Sequence, residues 1–593
     1  MRAGRLGATA ADGGTRFEVW APNAGSVAVE LDGRSVRLQP DHEAGTWVGV
    51  VPGVRHGDRY RFRLDDGELR PDPASGWQPD GVFGPSAVVD AARWAWTDEG
   101  WSPAALEDAV LYELHVGTFT EAGTLDAAVG ELARLAVLGI THVELMPVNQ
   151  FAGDRNWGYD GVFWSAVQHT YGGPEALARF IDAAHGAGLG VILDVVYNHV
   201  GPLGSVLHEY GPYFTDVVHT PWGAAVNVAG PGSDAVRRTI LESAARWIED
   251  FHVDGLRVDA IHAIHDPTAR PILDQLTASV HAAGVASGRA VLVIAESSDN
   301  DPRVVRPPDV GGLGFDAVWD DDLHHALRVA LTGDRRGYYS DYGGVADLAT
   351  VLARRWLFAD RWSSYRGRTH GRPADDVSPQ RFVVFTSNHD HVGNTPRGDR
   401  PPFDGRQRLL AAATVLLSPF TPMLFMGEEH ADPAPFPFFV GHGDEQLLAA
   451  TREGRRREFR DEWTEDVADP GEPATFRRAV LDPSLAADEP HRRVLEAYTE
   501  LLVQRRRHAV LRGDSEQAVT VHGDAIVLER RRQKARAVVV LAFGAGPATV
   551  PIDVTGLAVA LDTATWCPTA AAAVIDREQV VVDGPGAVLL VSG

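Results

Sequence analysis

LYELHVGTF (residues 111–119), LDAAVGELARLAVLGI (125–140) and THVELMPV (141–148) follow one another with almost no spacer. The outer two are short apolar runs, and the middle one carries Leu125, Val129, Leu132 and Leu135 at helical spacing. Such a succession reads as strand, amphipathic helix and strand, with both strands buried on their two faces as in a parallel sheet. The unit recurs. PEALARFIDAAHGAGL (174–189) leads to VILDVVYNH (191–199), and GSDAVRRTILESAARWIEDF (232–251) leads to DGLRVDAI (254–261). A helix over about 270–285 leads to AVLVIAES (290–297), and three further strand signals lie in GFDAVWDDDLHHAL (314–327), RFVVFTSNHD (381–390) and PMLFMGEE (422–429). The helix QRLLAAATVLLS (407–418) separates the last two. About eight such units, with no GxGxxG phosphate loop, predict an α/β fold with a (β/α)8 barrel rather than an open doubly wound sheet.

The flanks have another rhythm. Between 15 and 64 the pattern is of short alternating stretches, FEVWAP, VAVELDG and YRFRLDD, which predicts an antiparallel β-sandwich. RPDPASGWQPDGVFGPS (70–86) is too rich in Pro and Gly for regular structure and reads as a linker or packed loop. From His508 onward AIVLERRR, RAVVVLAFG, QVVVDG and AVLLVSG predict a small C-terminal β-domain. The expected division is 1–95, 96–507 and 508–593. The arginine clusters 455–457, 505–507 and 530–532 are short and surrounded by acid, and are expected to be solvated faces.

Composition narrows the partners. With 55 Lys and Arg against 81 Asp and Glu the 593-residue chain carries −26, which argues against a large nucleic-acid surface or docking on anionic lipid. Cys567 is the one cysteine, so no disulfide can form within the chain, and a reducing compartment is expected. The start, MRAGRLGATAADGG, has no apolar core of a signal peptide, and no run reaches membrane-spanning length. A cytoplasmic protein, monomer or homodimer, is expected. Fifteen tryptophans suit either core packing or stacking on sugar rings.

In a βα barrel the carboxylates at the C-terminal ends of the strands are the ones to weigh. Asp259 ends the fourth strand signal, Glu296 the fifth and Asp390 the seventh. Arg257 and Asp259 are two apart, so a strand would point both to one side. Alone, this pair reads equally as a buried structural ion pair. Asp194 and Asn198 share parity on the third strand signal, and His199 and His389 both fall at strand mouths, where neutral imidazoles could bind sugar hydroxyls. An ionised carboxylate close to a protonatable one is what attack at an anomeric carbon requires.

DVVYNH, GLRVDAIH, VIAES and FTSNHD, in this order, resemble the four signature segments of the alpha-amylase superfamily of glycoside hydrolases. The resemblance implies Asp259 as nucleophile, Glu296 as general acid and base, and Asp390 as the carboxylate binding two hydroxyls of the distorted sugar. It places Arg257, His199 and His389 in the same subsite and matches Tyr159 of NWGYDG to a tyrosine stacked beneath the ring. FEVWAPNAGSV, LYELHVGTFT, AVQHTYGGPEAL, YFTDVVHTPWGAAVN, AESSDNDPRVV and REGRRREF are similar, over nearly the whole chain, to the malto-oligosyltrehalose trehalohydrolase family. That implies hydrolysis of maltooligosyltrehalose to release trehalose, and an immunoglobulin-like N-terminal sandwich of the glucan-module type. Glycogen branching enzyme is the alternative within the superfamily. A metal-dependent hydrolase, suggested by His389–His391 and His262/His265, and a non-catalytic glucan binder are alternatives outside it. His391 departs from the glutamine expected in relatives. No cofactor and no essential metal are expected. Trp222 in HTPWGAAVN and 299–301 stand on loops expected to wall the leaving group, with Trp222 stacking on its glucose.

Overall fold

The computed structural model describes residues 4–459 and 466–592, so 1–3 and 593 of the two expected end domains lie outside the described residues. Eight parallel strands close into a barrel: β1 (Leu111–Leu114), β2 (His142–Leu145), β3 (Gly190–Val195), β4 (Gly255–Val258), β5 (Leu292–Ala295), β6 (Ala317–Trp319), β7 (Phe382–Phe385) and β8 (Thr421–Phe425). Six fall within the expected apolar runs, and β3 and β8 begin one residue before theirs. The helices Leu125–Leu138, Gly173–Gly186, Ser233–Phe251, Ile272–Ala286 and Gly405–Leu416 match the helical patterns to within a few residues.

Alternation along the strands explains why they read as continuous apolar runs. Leu111, Ile192, Ile294, Ala317, Trp319, Val383, Phe385 and Met423 fill the barrel interior. Tyr112, Leu114, Val143, Leu193, Leu256, Val258 and Leu424 pack outward against the surrounding helices. The interior is not wholly apolar. Glu113 on β1, Glu144 on β2, Asp194 on β3 and Arg257 on β4 are all buried, and the β3–β4 register sets Asp194 beside Arg257.

The N-terminal part comprises two antiparallel sheets, one with Gly14–Trp20 and Thr46–Pro52 at its centre and one with Val27–Leu31 and Arg59–Leu64. It is seated on the barrel: Trp20 meets Tyr213 edge to face at 5.3 Å, and Arg238 donates to Glu18 at 2.7 Å. Segment 70–86 is a packed loop, with Asp72 and Gln78 fully buried and Ser86 Oγ donating to Gln78 Oε1 at 2.6 Å. The C-terminal part has a five-stranded and a three-stranded antiparallel sheet. Among the described residues no helix is long and apolar enough to cross a membrane.

The arginine clusters are not uniformly solvated. Arg457 is exposed, but the side chain of Arg455 is only 14% exposed, and Arg505 and Arg530 are buried. Arg505 donates to the carbonyls of Leu416, Ser418 and Phe420 just past the helix Gly405–Leu416, and Arg530 to those of Leu511 and Gly513. A guanidinium offers five donors, so one side chain can close several chain ends that lack partners of their own. Charge clustering cannot distinguish such a side chain from its solvated neighbours.

Glu144 gives a pH signature. Neither carboxyl oxygen has a hydrogen-bond partner, and burial, with the charges of Glu113 and Asp194, pushes its pKa well above the ordinary 4.5. Between those values the unfolded chain loses a proton that the folded barrel keeps, so stability falls as pH rises, by about 1.4 kcal/mol per pH unit at most. Glu144→Gln removes that titration. The mutant should therefore gain on the wild type between pH 5 and 7 in paired thermal unfolding; a pH-independent difference would show Glu144 ionised within the fold.

Candidate active site

The site is built around one guanidinium. Arg257 points inward from β4, with Nη1 2.7 Å from Asp194 Oδ2 and 3.0 Å from Asp259 Oδ1, and Nη2 2.9 Å from Glu296 Oε2. The Trp319 ring lies 4.1 Å away on its face. β4 ends at Val258, so Asp259 lies just beyond the strand and not, as strand parity with Arg257 supposed, on it. The chain turns immediately afterwards at Ala260, which adopts φ +38, a left-handed conformation disfavoured for a residue with a Cβ. That turn aims the Ala260 N–H at Glu296 Oε2, 2.7 Å away. Glu296 follows β5 directly, its backbone N–H donating to the Val258 carbonyl.

Asn198 is likewise off the strand, because β3 ends at Val195. Its side chain nevertheless donates to Asp259 Oδ2 at 2.7 Å and to the Asp259 carbonyl at 2.9 Å. Asp259 and Glu296 share the Arg257 guanidinium, one at each terminal nitrogen. Burial pushes both carboxyls up. Arg257 opposes this for each, and the charge of Asp259 pushes Glu296 further. The hydrogen bond from Asn198 also lowers Asp259. In a coupled pair of this kind these contacts favour the ionised form of Asp259 and the protonated form of Glu296.

The remaining expected residues gather around this pair. The Tyr159 hydroxyl donates to Asp194 Oδ2 at 2.6 Å, and its ring stacks on His389 at 5.0 Å. His199 Nε2 donates to the Tyr159 carbonyl at 3.0 Å, and burial pushes His199 down to about 4, so it is neutral as expected. His389 is not. Burial alone would lower its pKa, but Glu113, with Oε1 2.5 Å from Nδ1, and Asp390 carry it up to about 9. It is an imidazolium held in an ion pair, with Nε2 3.6 Å from Asp390 Oδ1. Trp222 stands in the turn between Phe214–Thr220 and Gly223–Val226. Its ring lies flat on His199, centroids 4.5 Å apart and planes 5° apart, while the residue remains 50% exposed.

Three contributors escaped the sequence reading. Glu113, one acid in the apolar run LYEL, fixes His389 from 276 positions away. Asp321 opens the helix that follows β6, and burial together with Glu296 and Asp390 pushes it up to about 8. The triplet DDD gave a signal there but no means of telling its members apart; Asp320 is the helix cap, accepting from the Asp322 N–H. The third is the Ala260 turn, which no residue type announces. His391 stacks on His324 at 3.8 Å and is kept neutral by burial, with Nε2 3.7 Å from Asp321. His262 and His265 are exposed, and among the described residues no cluster of three or more His, Cys, Asp or Glu is arranged to hold a metal ion.

Comparison with known proteins agrees with this arrangement. The alpha amylase catalytic-domain family matches residues 96–209, and carbohydrate-binding module 48, the isoamylase N-terminal domain, matches 5–76. The chain is 44% identical to a malto-oligosyltrehalose trehalohydrolase of Rhizobium sp. (strain M-11), covering 93% of this chain and 95% of that one. It is 45% identical to the Arthrobacter ramosus protein of the same name, covering 91% and 92%. A solved structure of an alpha-amylase candidate from Salmonella typhimurium superposes with a TM-score of 0.90 at 36% identity, over 100% of both chains. A branching enzyme, GlgB 2 of Rhizobium johnstonii, matches at 34% over 52% of this chain and 48% of its own. The barrel, its acidic mouth and this kinship over nearly the full length agree: the chain belongs to the malto-oligosyltrehalose trehalohydrolase family of alpha-amylase-type glycoside hydrolases.

Proposed function

We propose that this protein hydrolyses the α-1,4 bond next to the trehalose unit of maltooligosyltrehalose, with retention of configuration, in the cytoplasm. The observation that carries the chemistry is the pairing of Asp259 and Glu296 on the single Arg257 guanidinium, at 3.0 Å and 2.9 Å from its two terminal nitrogens. An inverting pair stands about 6.5–9.5 Å apart to enclose a water, and a retaining pair about 5–5.5 Å. Two carboxyls drawn onto one guanidinium suit the second. Asp259 then attacks the anomeric carbon while Glu296 protonates the departing oxygen of trehalose; water, deprotonated by Glu296, releases the glucan chain from Asp259. Asp390, with its side chain 39% exposed at the mouth, holds sugar hydroxyls, and Tyr159, His199 and His389 line the same subsite. The full-length kinship supports the substrate, as does the shorter match to the branching enzyme. We read 1–95, 96–507 and 508–593 as its three domains.

Incubation with maltotriosyltrehalose and, separately, with maltopentaose tests this reading by chromatography of the products. Trehalose from the first, with little change in the second, is expected; α-1,6 branches would instead establish a transferase. Proton NMR should show the new reducing end first as the α-anomer, before mutarotation.

Glu296→Gln should lower kcat by about 10²–10⁴-fold, and Asp259→Asn at least as much, with KM less affected and the thermal transition retained. Near-normal turnover in either variant would show that another carboxylate does the work.

Trp222 has one face covered by His199 and is half exposed, so a ring remains for a glucose of the leaving disaccharide. Trp222→Ala should reduce kcat/KM for maltooligosyltrehalose more than for maltooligosaccharides, eroding discrimination by about 1–3 kcal/mol. An equal loss on both would leave Trp222 a support for His199.

A further inference from the structure

Arg455 belongs to a triplet whose other members are exposed, yet it faces inward from the helix Glu445–Phe459. Its guanidinium lies 4.7 Å from the Phe459 ring and 5.5 Å from that of Phe438. Nη2 donates to the Gly393 carbonyl at 2.8 Å, and Nη1 donates to Asn394 Oδ1 at 3.2 Å and to Glu458 Oε2 at 2.9 Å. Asn394 in turn donates from Nδ2 to Asp390 Oδ1 at 3.1 Å, and from its backbone to the Asp390 carbonyl at 2.7 Å.

The order of these contacts matters. An asparagine amide has one accepting end and one donating end, and an arginine can only donate. With Arg455 on one side, Asn394 must turn its oxygen to the guanidinium, which leaves its NH₂ for the carboxylate of Asp390. Without Arg455 only the Asp390 carboxylate itself would oppose the opposite orientation, which sets two acceptor oxygens against each other, and the accepting end of the amide would be left unheld. The loop is confined from the other side as well, since a Cβ at Gly393 would lie 2.0 Å from the Trp157 ring. Gly393 is therefore held between an indole and the arginine.

We propose that Arg455 is a positioning residue for Asp390, acting through the amide of Asn394, so that a helix outside the barrel wall sets the orientation of a carboxylate in the active site. This rests on the reading of Asp390 as a sugar-binding carboxylate. Displacements of about 1 Å at such a group can cost up to about 100-fold in rate.

Four variants test it on the full-length enzyme with maltotriosyltrehalose: Arg455→Ala, Asn394→Ala, the double variant, and Asp390→Asn. Arg457→Ala, in the same triplet and solvent-exposed, serves as the control with unchanged activity. Each of the first two single variants should lose about 10–100-fold in kcat with KM within about threefold, and the double should be no worse than the poorer single, because both cut the same chain of contacts. Losses that multiply in the double variant, a loss confined to KM, or an Arg455→Ala enzyme within twofold of wild type would each overturn the proposal. If Arg455→Ala does not fold, Arg455→Lys takes its place, expected to fold and to lose kcat in the same non-additive way with Asn394→Ala. Near-normal turnover in Asp390→Asn would instead refute the role of Asp390; an inactive Asp390→Asn beside a normal Arg455→Ala refutes only the role of Arg455.

Discussion

A fully buried guanidinium, that of Arg257, is the constraint around which the barrel mouth is organised. Taking such a cation out of water costs several kcal/mol unless its partners surround it closely. Here Asp194, Asp259 and Glu296 all stand within 3.0 Å of its nitrogens, and Trp319 covers one face. Three ionised carboxylates would overcompensate one cation. Burial, which raises the pKa of the coupled pair, and the Tyr159 hydroxyl donating to Asp194 ease the excess, while Glu113 and His389 neutralise each other in a separate ion pair. Glu144, which has no cation of its own, stays neutral on the neighbouring strand. The proton that the proposed mechanism requires on Glu296 is thus a product of charge balance in the barrel floor as much as of the residue itself.

That balance also marks where the sequence was legible. The strands could be read because burial on both faces leaves unbroken apolar runs, and Asp259, Glu296 and Asp390 stood out as acids at the ends of such runs. Strand parity pointed to Asp259 for Arg257 by the wrong geometry, and set Asn198 with Asp194 when it bonds Asp259 instead: β4 stops at Val258 and β3 at Val195, so Asp259 and Asn198 meet through turns beyond the strands. The charge of His389 could not be read, because it is set by Glu113 on a strand 276 residues earlier. Arg455, Arg505 and Arg530 defeated the reading for a related reason. A basic triplet looks the same in sequence whether its first, middle or last member turns inward, and which one does is decided by the carbonyls that tertiary packing brings to it.

The loops above the barrel are built more loosely than its floor. Trp222 projects from a two-stranded hairpin and rests on His199 through one ring face, whereas the catalytic carboxyls are each held by two or more donors. The proposed mechanism thus places its chemistry on turns pinned to the barrel strands, and its discrimination between leaving groups on a hairpin that can vary without disturbing them.

The left-handed turn at Ala260 has a stereochemical consequence. Glu296 Oε2 receives the Ala260 N–H at 2.7 Å and lies 2.9 Å from Arg257 Nη2 in an ion pair, so negative charge is favoured on that oxygen. In the proposed mechanism the transferable proton therefore belongs on Oε1. The two oxygens of one carboxyl are thereby made inequivalent before any sugar arrives, one serving as an anchor and the other as the transferring atom. In the proposed mechanism the trajectory of the proton toward the glycosidic oxygen is thus set by a backbone kink at the residue that follows Asp259 in the chain.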